Sequence, residues 1–524
     1  MKQQQSFMNN LQAGLMTPEH SVKKDLLPFS DFLNNLKVKV RRIFDNSENN
    51  DQLSLNRGIP QFALHEILSG NPLSVSIPEE YGGRGGLVHE NIALLSMASY
   101  ESLALSLTLG INSALFLQPV AKYARDETKE KVFNRFLLQK NMGGLMITEP
   151  GFGSDALNMQ THYTENNREF HIQGKKHWAG LTGLADYWLL TARKKADTGN
   201  LQRDIDFFIC DVHSPGQEIE VEELFENLGL YMIPYGRNKI NVKVPEAHKL
   251  QPHTTGVKMM LDLLHRSRMH FPGLGMGFIQ RMLDEAIDHC KQRFVGGKSL
   301  FGYDQVQERL SKLQASYTVC SAMCANSSDR AGIENDLSLH GIEANAVKSV
   351  ITDLMHDAAQ SVLQLVGAKA YKLNHIAGRG TVDSRPFQIF EGSNDILYAQ
   401  ISEGLLKLMK RTKENNLFRF FKSFSLTSLA ADSVKGQMNF NIDFQMPQRK
   451  LVEMGKIIGR VISLNQVLDV AGKGFRKDLA EGGKTMLEQE ISNLISSFSF
   501  KNNTRVVEEY EENSSWLNFV TAKI

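Results

Sequence analysis

The sequence predicts a mainly α-helical chain with a central β-barrel domain and a helical extension at its C-terminal end. Three observations carry that expectation. Apolar residues recur at helical spacing through roughly the first 140 positions; short apolar runs between turn residues replace them from 142 to 245; long helix-period segments return from about 254. The division that follows is 1–141 helical, 142–250 β-barrel, 251–411 helical bundle and 412–524 helical extension.

In the first segment Leu33, Leu36, Val40 and Ile43 share one helical face, as do Phe133, Phe136 and Leu137 later. The Gly-rich stretch Tyr81–Gly86 interrupts them as a loop. Leu103–Ala121 carries no charge and is long enough to suggest a membrane span, but Ser106, Thr108, Asn112, Ser113, Gln118 and Pro119 favour a buried helix of a soluble core. In the second segment Tyr187–Ala192 and Asp206–Asp211 read as strands of an antiparallel sheet or barrel that ends at Val244-Pro245. Segments near 254–295, 304–331 and 338–366 suit a bundle of long antiparallel helices. Residues 412–446 look irregular, and 447–520 look helical again.

Composition narrows the function classes. Of 524 residues, 42% are hydrophobic and 22% charged, an ordinary globular balance, and a net charge of +1 gives no global preference for nucleic acid or anionic lipid. Cys320 and Cys324 stand at i, i+4 with no further ligand at metal spacing, so no metal site is expected. Few cysteines, and no apolar or Arg-rich leader in Met1–Lys24, make a cytoplasmic location the expectation. Gly273-Leu-Gly-Met-Gly277 imitates a dinucleotide loop, but no strand precedes it; tight helix packing explains it better.

Other motifs carry chemistry. Met146-Ile147-Thr148-Glu-Pro-Gly-Phe-Gly153-Ser154-Asp155 is a strand entering a Gly-rich turn whose amides and hydroxyls can meet anionic oxygens. Gly174-Lys-Lys-His-Trp178 follows with an aromatic able to cover a flat ring. With Pro78–Gly83, Val242–Pro245, Arg293–Gln307, Gln364–Gly367 and Ile389-Phe-Glu391-Gly-Ser-Asn-Asp395, in that order and spacing, the chain resembles the acyl-CoA dehydrogenase family over roughly residues 25–410.

The resemblance implies FAD held between barrel and bundle, with part of it reaching a neighbouring subunit. Met146, Ile147, Thr148, Gly153 and Ser154 would then bind the flavin ring and pyrophosphate region, and Trp178 and Gly180 would lie at the isoalloxazine. Arg293 and Gln305 would reach the pyrophosphate across a dimer interface. Gln364 and Gly367 would approach the adenosine end, and Ser393, Asn394 and Asp395 the pyrophosphate. Glu391 matches the family's catalytic base. Some members carry the base just before an Arg that matches Arg268, but here that position is Ser267, which leaves Glu391. Burial beside Ile389 and Phe390 should raise its pKa.

The chemistry so implied is α,β-desaturation of an acyl-CoA, with an electron-transfer flavoprotein as acceptor and a homodimer or homotetramer as assembly. An acyl-carrier-protein substrate, or a flavin-containing DNA-binding relative, are the alternatives; no continuous basic stripe favours the latter. Where the family pattern has Trp-Ile-Thr this chain has Trp178-Ala179-Gly180, without the hydroxyl, and it departs again at Gly296, Ala368, Ala370 and Val382, which marks a divergent branch. In the extension, Phe418-Arg-Phe-Phe-Lys422 mixes aromatics with cations, so a peripheral membrane contact is one expectation and packing on the bundle the other.

Overall fold

A computed structural model describes residues 26–44, 57–501 and 505–519. They fall into two units, one comprising Met1–Ala98, Thr108–Phe225 and Met232–Pro252, the other Ser99–Leu107, Glu226–Tyr231 and His253–Ile524.

The N-terminal helices are α1 (Phe29–Phe44), α2 (Gln61–Ser69), α3 (Val88–Glu101), α4 (Leu103–Asn112), α5 (Gln118–Tyr123) and α6 (Asp126–Gln139). The predicted α1 stripe buries Leu36, Val40 and Ile43, with Phe44 added. Gly83 is required at the end of its loop: a Cβ there would lie 2.1 Å from the Ile77 carbonyl oxygen. Leu103–Tyr123 is long and apolar enough to cross a membrane, yet 89% of its apolar window is buried inside the protein. The helix widens to a π turn at Ser113–Leu117. Pro119 stands just beyond; it has no N–H, and its ring would clash with the Leu115 carbonyl of an unbroken α-helix.

The strands are β1 (Gly143–Met146), β2 (His162–Asn166), β3 (Glu169–Gly180), β4 (Tyr187–Lys194), β5 (Asp206–Asp211), β6 (Gln217–Leu224) and β7 (Tyr235–Pro245). They form one curled half-barrel in the order β1-β4-β2-β3-β7-β6, with β5 on β4. The sheet is mixed, not antiparallel throughout as expected: β4 pairs β1 and β2 in parallel. The β2–β3 hairpin lies between β1 and β4 and supplies the long connection that parallel pairing needs. That hairpin turns on Asn167 and Arg168, both at positive φ, the backbone of a type I′ turn.

The second unit holds α7 (Gly256–Arg268), α8 (Phe271–Gln292), the hairpin β8–β9 (Phe294–Val295, Lys298–Ser299), α9 (Asp304–Arg330), α10 (Gly341–Val366), α11 (Ile376–Ser384), α12 (Asn394–Thr412), α13 (Leu417–Ser423), α14 (Gln448–Gly472) and α15 (Lys477–Ser499). Helices α8, α9, α10 and α12 form the bundle. The Gly273–Gly277 run lies inside α8, where a Cβ on Gly275 would meet Ile351 of α10 at 2.7 Å; helix packing is its purpose. In the extension, α14 lies on α12 and α15 on α9. Two expectations change here. The α-helix does not run to 520 but ends at Ser499, followed over the described residues by turns and a short 3₁₀ helix at Trp516–Phe519. The stretch 412–446 contains α13, which buries Phe420 and Phe421, so those two rings pack inward instead of facing a membrane.

Candidate active site

Glu391 sits where a short 3₁₀ turn, Arg385–Gln388, gives way to α12. Its backbone is left-handed, φ +52°, and Gly392 follows at φ +91°. A non-glycine residue in that region is strained and must be held by its surroundings. Arg268, at the end of α7, donates from Nη2 to the Glu391 carbonyl oxygen at 2.8 Å and from Nη1 to Asn345 Oδ1 at 2.6 Å. Lys348 donates to the Gly392 carbonyl at 2.9 Å. The positive φ of Gly392 favours glycine, and a Cβ there would also press on Leu397 Cδ2 at 2.8 Å.

Among the described residues the carboxylate itself has one hydrogen-bond donor. Ser267 Oγ donates to Glu391 Oε1 at 2.9 Å, while Oε2 is buried with no partner. Burial pushes the Glu391 carboxyl above the ordinary carboxylate range, against the opposing pull of Arg268, the Ser267 hydroxyl and Lys348. Burial also pulls Arg268 down to about 10, which leaves it charged at neutral pH, and pulls Lys348 down to about 7. Ile389 is not part of this enclosure: it is 56% exposed, whereas Phe390 stacks near Phe271 and Phe387.

In the first unit, the Met146–Asp155 segment and Trp178 come together. His177 N donates to the Thr148 carbonyl at 2.8 Å. Trp178 is the extra residue of a β-bulge between His177 and Ala179 in the β3–β7 pairing, at φ +57°. A bulge re-aims a side chain; here the indole is 53% exposed, with Phe225 4.5 Å away ring to ring. Beneath the segment lies a buried ion pair. Lys176 Nζ donates to Glu149 Oε1 at 2.9 Å, to the Ile147 carbonyl at 3.2 Å and to Thr191 Oγ1 at 3.0 Å. Burial pulls Lys176 down to about 8; against the upward push of burial, Lys176 and hydrogen bonds from Gln160 and Thr161 hold Glu149 below its usual range. The pair fixes the turn that follows.

Met146 is buried, Ile147 and Thr148 half-buried, and Gly153 and Ser154 exposed. Gly180 faces Ile111 and Tyr235, at 3.0 and 3.3 Å from where a Cβ would stand, so the threonine of the family pattern has no room without movement of these neighbours. In the second unit Arg293, Gln305, Gln364, Gly367 and Asp395 are exposed and Ser393 half-buried. Asn394, expected near the pyrophosphate, is turned inward: its Oδ1 accepts from Lys348 at 2.9 Å and its Nδ2 donates to Asp353 Oδ1 at 2.8 Å. Among the described residues no cluster of His, Cys, Asp and Glu could hold a metal ion, and all four cysteines are free and buried.

Three family models match in chain order: the N-terminal domain of acyl-CoA dehydrogenase over residues 35–139, its middle domain over 144–241 and its C-terminal domain over 254–406. The chain belongs to the acyl-CoA dehydrogenase family. It is therefore an oxidoreductase acting on CH–CH bonds, with FAD as its cofactor. An acyl-CoA dehydrogenase of Bacillus subtilis is 26% identical over 64% of this chain and 86% of its own length. The very long-chain specific enzyme of Mus musculus is 23% identical over 70% of this chain, but the match spans only 56% of that relative. A Bacillus anthracis acyl-CoA dehydrogenase, solved in complex with FAD, shares the fold with a TM-score of 0.73 at 16% identity, over 91% of this chain and 88% of its own.

The residues of this acyl-CoA dehydrogenase fit the cofactor. Gly151 and Gly153 have nothing within 4 Å of where a Cβ would stand, so the turn has open space beside it for a bound group instead of packing against the protein. Trp178 offers an exposed flat face at the same segment. Sequence reasoning set Ser267 aside as unable to be a base and missed its hydrogen bond to Glu391. It also missed Asn345, Lys348 and Asp353, which lie on the inner face of α10 and carry no motif.

Proposed function

We propose that this acyl-CoA dehydrogenase desaturates an acyl thioester, most simply an acyl-CoA, between its α and β carbons, with Glu391 as the base. The observation that carries the proposal is the carboxylate Oε2: enclosed, unpartnered and belonging to a group whose pKa burial has raised. Such an oxygen is a proton acceptor in want of a proton. FAD, when bound, supplies the acceptor for the β-hydride that no side chain can provide.

The chain's own residues do the rest. Glu391 takes the α-proton on Oε2, while Ser267 holds Oε1 and so fixes the rotation of the carboxylate. Arg268 keeps the left-handed backbone at Glu391 in place through its carbonyl, leaving the Glu391 N–H as the donor we assign to the thioester oxygen. Met146, Ile147, Thr148, Gly153, Ser154, Trp178 and Gly180 are the residues we assign to the flavin and pyrophosphate. Arg293, Gln305, Gln364, Gly367, Ser393 and Asp395 are assigned to the remainder of the cofactor in a dimer. The exposed Phe294 and Val295, next to Arg293, support a partner subunit there. An electron-transfer flavoprotein as acceptor and a cytoplasmic setting complete the reading.

A second reading keeps the chemistry and moves the acyl group to a carrier protein. The fold accommodates that class: the prolyl acyl carrier protein oxidase AnaB shares it, with a TM-score of 0.64 at 16% identity, over 73% of this chain and 100% of its own. Anaerobic titration of the purified flavoprotein with short-, medium- and long-chain acyl-CoAs separates the two. Bleaching of the flavin that disappears in Glu391→Gln supports the first. A flavin bleached only by carrier-bound acyl groups supports the second, and one bleached by neither refutes both.

A further inference from the structure

The C-terminal extension lies beyond all three matched family segments, the last of which ends at residue 406. It nevertheless reaches the catalytic loop. Helix α14 approaches α10 and the start of α12 with glycine at the contact: a Cβ on Gly455 would lie 2.0 Å from the Tyr398 carbonyl oxygen, and one on Gly459 would lie 3.1 Å from Val350. The next residue, Arg460, is 8% exposed. Its guanidinium donates to Tyr398 Oη at 2.5 Å, to Asp353 Oδ2 at 3.2 Å and to Glu490 Oε2 of α15 at 3.1 Å.

Asp353 is the hinge of the arrangement. Its Oδ2 also accepts from Tyr398 Oη at 2.6 Å. Its Oδ1 accepts from Gln388 Nε2 at 2.9 Å and from Asn394 Nδ2 at 2.8 Å. Those two residues stand three positions before and three positions after Glu391, so one carboxylate ties both ends of the loop that carries the base. Asn394 passes the tie onward to Lys348, which holds the Gly392 carbonyl. Burial pushes the Asp353 carboxyl upward, but Arg460 and the hydrogen bonds from Tyr398, Gln388 and Asn394 outweigh it and hold the group below its usual range. The charged form of Asp353, able to accept on both oxygens at once, therefore depends on a cation supplied by the extension.

We propose that Arg460 is a positioning residue for the Glu391 loop, acting through Asp353 on Gln388 and Asn394. This rests on the reading of Glu391 as the base. Without Arg460, Asp353 is a buried carboxylate short of its counter-charge, and the two ties on the loop loosen together. A left-handed glutamate has no intrinsic preference for its conformation, so loosening misplaces the carboxylate.

The test compares FAD-loaded wild type with Arg460→Met, Arg460→Lys and Lys473→Met. The last removes an exposed contact between extension and bundle, Lys473 to Asp329 at 3.3 Å. Hydrogen exchange of the peptides covering 385–397 and 304–330 is measured, together with FAD content and the anaerobic rate of flavin reduction. Arg460→Met should speed exchange in 385–397 while 304–330 is unchanged. It should also lower the rate constant about 100-fold, with substrate affinity and FAD content kept. Arg460→Lys should fall between, since an ammonium keeps the charge but presents its three donors from one nitrogen, whereas the guanidinium reaches its three acceptors from three separate nitrogens. Lys473→Met should match wild type. Equal exchange in 385–397 for wild type and Arg460→Met, or faster exchange spread over both peptides, would overturn the proposal. If Arg460→Met does not fold, Arg460→Lys decides by the same exchange comparison. If no acyl thioester reduces wild type, the reading of Glu391 fails, and the exchange measurement still decides whether Arg460 holds the loop.

Discussion

Ser267→Ala removes the only hydrogen-bond donor that the described residues give the Glu391 carboxylate, the base in our proposal. In the native arrangement Ser267 Oγ stands 2.9 Å from Glu391 Oε1 and Oε2 has no partner, so the variant leaves the carboxylate held by the charges of Arg268 and Lys348 alone. The hydroxyl donates to the ionised form and therefore favours it; deletion raises the proton affinity. A hydrogen bond to a charged group contributes about 1.5–3 kcal/mol. The hydrogen bond is only part-buried, which argues for the lower end, a change in proton affinity of about tenfold to thirtyfold. The rate of flavin reduction, measured by anaerobic stopped flow from pH 5.5 to 9, should keep its alkaline plateau while its acid limb moves up by about one pH unit. A loss of equal size at every pH would mean that Ser267 is only a packing residue. An acid limb that moves down would refute the assignment of Glu391 as the group that titrates.

Three further outcomes follow from the same geometry. Lys176→Met leaves Glu149 buried without its counter-charge and should destabilise the protein by about 3–5 kcal/mol, with much of it recovered in Lys176→Met/Glu149→Gln, measured by urea unfolding of the FAD-loaded protein. Gly180→Thr, which restores the family residue, should lower the melting temperature because its Cβ presses on Ile111 and Tyr235; Tyr235→Ala in the same chain should relieve the loss. Asp383 is raised to about 6, chiefly by burial, so the native state binds a proton that the unfolded chain has released between pH 3.8 and about 6. Stability from this group is therefore present at the low end of that window and lost as pH rises through it, by roughly 3 kcal/mol at most. Asp383→Asn should flatten the corresponding slope of melting temperature against pH, and an unchanged slope would count against this origin.

How much of this was legible in the sequence depends on the range of the interaction concerned. Helical stripes such as Leu36–Val40–Ile43 and the switch to short strands after 142 are local signals, and they placed the elements. Parallel pairing of β1 with β4 is set by a connection some forty residues long, and no local pattern records it. Motif order singled out Glu391 as the candidate base, but its enclosure could not be read there. Ile389, an apolar neighbour in sequence, turns outward, while Ser267, more than a hundred positions away, supplies the hydrogen bond. Lys348 and Asp353 looked like ordinary polar residues of a long helix. Only the tertiary fold shows them facing inward, where a lysine is 0% exposed and an aspartate accepts from three side chains besides Arg460. The departure at Gly180 was visible as a missing hydroxyl, but its cause, the crowding by Ile111 and Tyr235, belongs to residues remote in sequence.

The glycines of α14 bear on what the extension is for. A glycine inside a helix lowers its stability by about 1 kcal/mol relative to alanine. An appendage that merely covered the bundle or blocked a second subunit would gain nothing from two of them four residues apart. Gly455 and Gly459 earn their place because they let the backbone of α14 close on Tyr398, and that approach is what carries Arg460 to Asp353. The same tyrosine lies seven residues after Glu391, on the first turns of the helix that the catalytic loop enters. On the proposed role of Arg460 the extension is part of the support of the Glu391 loop, and changes in its packing should be felt at Glu391 before they are felt in the half-barrel.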